Sequence, residues 1–355
     1  MKKVILTGGG TAGHVAPNIA LMPELKARGY KIAYIGSSDG MEKGLITETG
    51  TRYYGVSTGK LRRYFDLKNF TDPFKVVKGY FEAKKALKKE RPSVLFSKGG
   101  FVAVPVVRAA HALKIPIVIH ESDMTPGLAN KLCIPVADKV CCTFPETMKY
   151  LPKDKAVLSG SPIRKELLTG SKAEGLAFCG FNEEKPVLLI IGGSLGSVSV
   201  NNAVRAVLPQ LLEKFQIIHL CGKDKLDPAL EGTKGYVQYE FIKEELKDLM
   251  AAADLVISRA GANVIFELLA LKKPSILVPL PAAASRGDQI LNARSFRDSG
   301  YSYMLPEEEI TDEHLLEVID EVFLQRDSYI QAMNEAGKRD AIKIIADLLD
   351  ELASK

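Results

Sequence analysis

One histidine is placed to move a proton. His14 closes the run GGGTAGH (Gly8–His14), between the apolar stretch Lys2–Leu6 and a helical pattern in which Val15, Ile19, Met22 and Leu25 share a face. A ring at a helix start meets the positive end of the dipole. That favours neutral imidazole, the form that accepts a proton. A second set of polar groups lies in ISRAGANVIFELLALKKPSILVPLPAAASRGDQILNA (Ile257–Ala293). Ala260-Gly261 makes a turn, and Val264, Ile265, Leu268 and Leu269 then recur at helical spacing. The free N–H groups of such a helix start suit an anion. Glu267, one turn in, could bridge two sugar hydroxyls, and Gln289 and Asn292 offer neutral hydrogen bonds. Each set also has a plain structural reading: a histidine bonded to backbone, and a βαβ unit with a solvated glutamate.

His120, Glu121 and Asp123 cluster where the apolar run Ile115–Ile119 ends, in HESDMTPGLAN (His120–Asn130). An extended segment sends alternate side chains to opposite faces, so the three do not converge on a metal from one strand. Capping, or contact with an acceptor substrate, fits them better. Further on, Ser194 in GGSLGS (Gly192–Ser197) and the surrounding amides could hold a diphosphate. No Asp-x-Asp occurs, so diphosphate charge would be met by helix dipoles, amides and Arg164 of GSPIR (Gly160–Arg164), with no metal and no cofactor.

Strand, Gly turn and helix alternate along the chain, and the opening pattern returns about 180 residues later at Val187–Ile191 and Gly192–Ser197. This predicts an α/β protein of two doubly wound units facing each other across a cleft. The expected division is 1–163 and 164–337, with the amphipathic segment at 338–355 packing back on the first unit. Lys165–Lys185 reads as a connector, and Pro17 as a first-turn proline. The first turn is neither GxGxxG nor Walker A, and no acidic residue closes the second strand, which disfavours dinucleotide and ATP binding.

At 355 residues the chain is comfortable for two domains, and 46% hydrophobic content with near-zero mean hydropathy describes a soluble protein. No run approaches the roughly 18 apolar residues of a membrane span. The short apolar start, Val4–Leu6, reads as a strand and not a leader. Five cysteines without metal spacing suggest buried thiols in a reducing cytoplasm. Charge is lopsided. Residues 1–165 hold 28 Lys and Arg against 13 Asp and Glu, and the remainder 20 against 30. The first half therefore expects an anionic neighbour. Gly59–Lys89 interleaves Tyr64, Phe65, Phe70, Phe74, Tyr80 and Phe81 with many Lys and Arg, including Arg62 and Arg63. It suits an anionic membrane interface, or equally a crossover helix with its aromatics in the core. Without a recognised RNA module, nucleic acid is not expected.

GGTAGH, KGGF, HESDMTPGLAN, GSPIR, GGSLG, SRAGANVIFE and DQILNA, in this order along nearly the whole chain, resemble the MurG family of peptidoglycan glycosyltransferases. The resemblance implies a GT-B fold of two Rossmann-like domains and an inverting enzyme at the cytoplasmic face of the cell membrane. UDP-GlcNAc would be the donor and undecaprenyl-pyrophosphoryl-MurNAc-pentapeptide (lipid I) the acceptor. It implies Thr11, Ala12 and Gly13 near the sugar and acceptor pyrophosphate, and His14 as general base. Arg164 and Ser194 would lie near the donor diphosphate, Ile242 would read uracil through its backbone, and Ala262 would approach the phosphates. Glu267 would hold the ribose, and Gln289 and Asn292 the GlcNAc hydroxyls. The sequence departs from the family pattern at Ala12, at Ser122-Asp123, where Gln-Asn is usual, and at Ser161. An ionised Asp123 only accepts hydrogen bonds, whereas Asn also donates. The other readings are a GT-B transferase on another lipid such as diacylglycerol, a UDP-GlcNAc 2-epimerase-type isomerase, and a nucleotide-sugar-binding subunit without turnover.

Overall fold

A computed structural model describes residues 2–59, 68–193, 196–337 and 339–354, without the side chains at 68–71 and 73. The chain forms two compact units, Met1–Arg164 with Arg339–Lys355, and Lys165–Lys338.

The first unit is a seven-stranded parallel sheet. Its strands are β1 (Lys3–Thr7), β2 (Lys31–Ser37), β3 (Arg52–Val56), β4 (Val94–Ser97), β5 (Ile117–Glu121), β6 (Lys139–Cys142) and β7 (Ala156–Leu158), in the order β3-β2-β1-β4-β5-β6-β7. Central strands buried on both faces read as continuous apolar runs, as β1 and β5 do. One face packs Val102, Val106, Val107 and Ala110 against Ile5, Leu95 and Ile119. The other packs Leu21 and Leu25 with Ile345 and Leu349 against Leu6 and Phe96. Helix Ala341–Ala353 thus lies beside helix Ala12–Ala27, burying Ile342, Ile345, Ala346, Leu349 and Leu352 at helical spacing. Arg28 ties the pair together through Asp347 at 2.7 Å and Asp350 at 2.9 Å.

The second unit holds β8 (Val187–Ile191), β9 (Gln216–Leu220), β10 (Tyr236–Tyr239), β11 (Leu255–Ser258), β12 (Ser275–Leu277) and β13 (Tyr303–Met304), in the order β10-β9-β8-β11-β12-β13. Strand for strand this is the topology of the first six strands of the other sheet. The order reverses beside β1 and beside β8, and at such switch points open sheets bind ligands past their C-terminal ends.

Two sequence expectations need correction. Pro17 is not in a first turn: the helix begins at Ala12, and Pro17 and Pro23 both lie inside it. Pro17 has no N–H to offer the Gly13 carbonyl, and its ring is buried against the core. Lys165–Lys185 is not a bare connector, because it carries a 3-10 turn, Lys165–Thr169, and a helix, Lys172–Cys179. The backbone of Gly175 packs against that of Asp248, so closely that a Cβ there would lie 2.2 Å from the Asp248 carbonyl oxygen.

Candidate active site

In the first unit, the C-terminal ends of β1 and β4 bring two Gly turns into contact. A Cβ on Gly100, whose φ is +84°, would lie 2.2 Å from the Gly9 carbonyl oxygen, so only glycine permits the approach. The first turn rests on Glu42. Its buried carboxylate accepts from the Ser37 amide at 2.9 Å and the Gly10 amide at 3.3 Å. No acidic residue closes β2 itself, but this one, five residues beyond, reaches back and takes the Gly10 donor.

Thr11 is the N-cap of helix Ala12–Ala27, with extended backbone, and makes no side-chain cap. Its hydroxyl instead lies 3.0 Å from His14 Nδ1. In the tautomer whose Nδ1–H donates to that hydroxyl, Nε2 is the nitrogen that accepts a proton. Below it, Asn18 is fully buried and donates to the carbonyls of Thr7 and His14 and to the Tyr34 hydroxyl, so the turn and the helix start are fixed together. Ala12 and Gly13 are half-buried in the same turn.

The His120–Asn130 segment is built around Glu121. Its carboxylate accepts from the amides of Asp123 and Gly127, each at 3.0 Å, and from Asn130 Nδ2 at 2.8 Å. Of the two readings of the His120–Asp123 cluster, Glu121 therefore takes the capping one. Burial, with the Asp123 charge nearby, still raises its pKa. His120 is buried, with Nε2 2.9 Å from the Gly160 carbonyl and Nδ1 2.8 Å from Lys98 Nζ. A carbonyl only accepts, so Nε2 carries the proton and Nδ1 accepts from the lysine. Neither nitrogen is left for a metal, and among the described residues no group of three or more His, Cys, Asp or Glu could hold one. Lys98, 1% exposed, also donates to the Ser122 hydroxyl. Burial pulls its pKa down to about 8 against the charges of Glu121 and Asp123. The same burial and the adjacent ammonium hold His120 neutral, well below its ordinary pKa. Asp123 is half-buried at the mouth of this network, and Arg164 is half-buried at the end of the unit. All five cysteines are buried free thiols, and burial pushes Cys133, Cys141 and Cys142 up to about 12, which leaves them inert.

In the second unit, Ser197 caps helix Val198–Ala206 by accepting from the Val200 amide. A Cβ on Gly196, whose φ is +70°, would lie 2.0 Å from the Cys221 carbonyl oxygen, so this Gly turn rests on the end of β9. Ser194 lies outside the described residues. Past β11, Gly261 is the extended N-cap of helix Ala262–Leu271, which has no acidic residue in its first turn. No acid of its own first turn therefore offsets the positive amide end. Ala262 is buried at that end, and Glu267 is half-buried further along. The chain returns through β12 to helix Asp288–Asp298, where Gln289 Oε1 accepts from the Leu280 amide at 3.1 Å. Asn292 is fully buried and donates to the Ala260 carbonyl at 3.3 Å. That bond ties the helix to the Gly turn after β11. Ile242 is half-buried in the loop after β10, beside exposed Phe241.

Sequence reasoning missed Lys98, Glu42 and Arg259. Arg259, 9% exposed, donates to the hydroxyls of Ser197 and Ser199 at 2.7 and 3.1 Å and to the Val278 and Pro279 carbonyls, and it pairs with Glu307. It binds the loop after β8 to the loops after β11 and β12. The signal was present twice, as FSKGG and ISRAG: a serine ending a buried strand, a cation, then glycine two residues on.

Comparison with known proteins decides the family. The model of the glycosyltransferase family 28 N-terminal domain matches residues 4–142, and that of its C-terminal domain matches residues 187–349. A relative from Lachnoclostridium phytofermentans is 63% identical over 100% of both chains. One from Clostridium botulinum is 60% identical over 98% of this chain and 99% of its own. Both are named UDP-N-acetylglucosamine--N-acetylmuramyl-(pentapeptide) pyrophosphoryl-undecaprenol N-acetylglucosamine transferase. This chain belongs to the MurG family of glycosyltransferases. The crystal structure of Acinetobacter baumannii MurG superposes with a TM-score of 0.77 at 26% identity, covering 99% of this chain and 100% of that one. The calicheamicin glycosyltransferase CalG4 shares the fold at 14% identity, with a TM-score of 0.72 over 100% and 99%. The fold is thus GT-B, with two Rossmann-like domains. The C-terminal family model runs on to residue 349, into the helix that packs on the first unit.

Proposed function

We propose that this enzyme transfers N-acetylglucosamine, with inversion, from UDP-GlcNAc to the 4-hydroxyl of the MurNAc unit of lipid I. The product is lipid II for peptidoglycan synthesis. The observation that carries the reading is the Thr11–His14 pair at the start of helix Ala12–Ala27. It supplies an oriented base of the kind an acceptor hydroxyl needs as it attacks an anomeric carbon. The names of full-length relatives supply the donor and the acceptor.

In this reading residues 1–163 and the C-terminal helix form the acceptor domain, and residues 164–337 the donor domain. His14 takes the proton from the MurNAc hydroxyl while Thr11, Ala12 and Gly13 meet the sugar and acceptor pyrophosphate. Asp123 accepts from an acceptor hydroxyl. In the donor domain the amide end of helix Ala262–Leu271, starting at Ala262, stabilises the charge that grows on departing UDP. Arg164 and Ser194 add to that diphosphate site. Glu267 accepts both ribose hydroxyls, the Ile242 backbone reads uracil, and Gln289 and Asn292 contact the GlcNAc hydroxyls.

The enzyme works as a peripheral protein on the cytoplasmic face of the membrane. Among the described residues no helix is long and apolar enough to cross one. On helix Lys68–Glu90, Phe74, Val77 and Phe81 are 77%, 56% and 62% exposed on one face, while Tyr80 packs on the core. Lysines 75, 78, 84, 85, 88 and 89 lie on the same helix. An apolar stripe flanked by cations suits an anionic bilayer surface. The part of this expectation carried by Arg62, Arg63, Tyr64 and Phe65 lies outside the described residues, as does the side chain of Phe70.

The test is UDP release from UDP-GlcNAc, with and without a lipid I analogue, in the presence of EDTA. Release that requires the analogue and survives chelation is expected. Tight UDP-GlcNAc binding with no release in the analogue's presence would make the acceptor assignment wrong.

A further inference from the structure

The first unit contains a buried cation that the chemistry above does not use. Lys98 follows β4 directly, its amide donates to the Thr7 carbonyl at 2.9 Å, and its Cβ would lie 3.3 Å from one on Gly8. From this point beneath the first Gly turn the side chain crosses to the end of β5 and ends between His120 Nδ1 and Ser122 Oγ. His120 passes the connection on to the Gly160 carbonyl of the GSPIR segment. One side chain thereby links the turn that carries His14, the segment that carries Asp123, and the segment that ends at Arg164.

The charge has its own logic. A fully buried ammonium is costly unless anions face it. The groups facing Lys98 are Glu121 and Asp123 from the β5 end, neutral His120, and Cys141 from β6. Glu121 spends its oxygens on three loop donors. Asp123 is a half-buried carboxylate, and the buried cation offsets its charge.

We propose that Lys98 is a positioning residue of the acceptor half-site, fixing the Ser122–Asp123 segment through Ser122 and His120 and supplying the counter-charge that allows an aspartate at position 123. The proposal rests on the acceptor-side reading of that segment. Lys98 itself touches no substrate.

Three arms test it on the full-length enzyme. The first is steady-state kinetics of Lys98→Met, Asp123→Asn and the double variant with UDP-GlcNAc and a lipid I analogue. Lys98→Met is expected to raise the acceptor KM about tenfold with donor KM changed less than about twofold, and Asp123→Asn to recover about half or more of that loss. Equal effects on both substrates without rescue would reduce Lys98 to a packing residue. The second arm is hydrogen exchange at the Asp123 and Gly127 amides. Lys98→Met should speed exchange there and leave the sheet unchanged, and Ser122→Ala, which keeps the charge, should act the same way more weakly. Unchanged exchange in both variants would overturn the proposal.

The third arm is pH. The folded-state pKa of Lys98 lies near 8, below the ordinary 10.5. Between these values the unfolded chain binds more protons, so this group makes folding stability rise with pH from about 8 to about 10.5. Acceptor kcat/KM should fall over the same window as the counter-charge is lost. Lys98→Met should remove both slopes, and a variant that retains both would contradict the assignment. If no lipid I analogue turns over at all, the functional reading fails, while exchange and the stability slope still judge Lys98.

Discussion

The two domains share a strand order and place a buried cation at the same point of it, after the serine that ends β4 and after the serine that ends β11. What the cations hold differs. Arg259 spreads five donor contacts over the ends of three strands and ties down the Gly turn where a diphosphate would lie. Its fork suits several acceptors at once. Lys98 makes two side-chain contacts, both towards the β5 end, and it titrates. On the proposed function, a cation with many partners suits a donor site that must present rigid amides to one diphosphate, and a titratable cation on the acceptor side would couple the loop geometry to proton binding. The topology is a shared frame, and the chemistry lives in what sits at equivalent corners of it.

The largest expected effect separates chemistry from binding. His14→Ala should lower kcat by about 10²- to 10⁴-fold, the usual worth of a general base, while leaving UDP-GlcNAc affinity intact. Steady-state kinetics beside calorimetric titration of the donor checks this. Unchanged turnover would remove His14 as the base.

Glu267→Ala is the counterpart in the second domain. Losing hydrogen bonds to an ionised group should weaken UDP-GlcNAc binding by about 10- to 100-fold with the acceptor KM little changed. Competition with UDP and with 2′-deoxy-UDP sharpens the result, because the variant should no longer distinguish them. Arg259→Met then mirrors Lys98→Met. It should cost about 1–3 kcal/mol of stability from the acceptors left unpaired and raise donor KM, with no change in the alkaline pH profile. A thermal melt and a pH series read the two parts separately.

The smallest expected effect concerns the surface. Phe81→Glu should reduce sedimentation with vesicles rich in anionic lipid without altering turnover on a soluble acceptor analogue. Added salt should weaken wild-type binding, since each Lys contributes about 1 kcal/mol near such a surface.

Much of this frame was legible in the chain. Val187–Ile191 and the runs of β1, β4 and β11 announce parallel strands because both faces of each are buried, so hydrophobicity alone marks them. Gly100 and Gly196 are legible as glycines in strand-end turns, but their contacts with Gly9 and Cys221 are not, since those depend on non-local packing. The same limit hid the bond from Asn292 to the Ala260 carbonyl, which joins groups 32 residues apart in the chain. Glu42 was invisible because it lies on the short helix after β2 and reaches back to a turn 32 residues earlier. Pro17 misled because proline marks a helix start only on average, and here the helix carries two internally.

Calorimetric titration of UDP-GlcNAc into His14→Ala and Glu267→Ala, beside their turnover on a lipid I analogue, tests the division of labour most directly. The His14 variant is expected to bind the donor like the wild type yet hardly turn over, while the Glu267 variant binds it at least about tenfold more weakly. Weakened donor binding in the His14 variant, with normal binding in the Glu267 variant, would contradict that division.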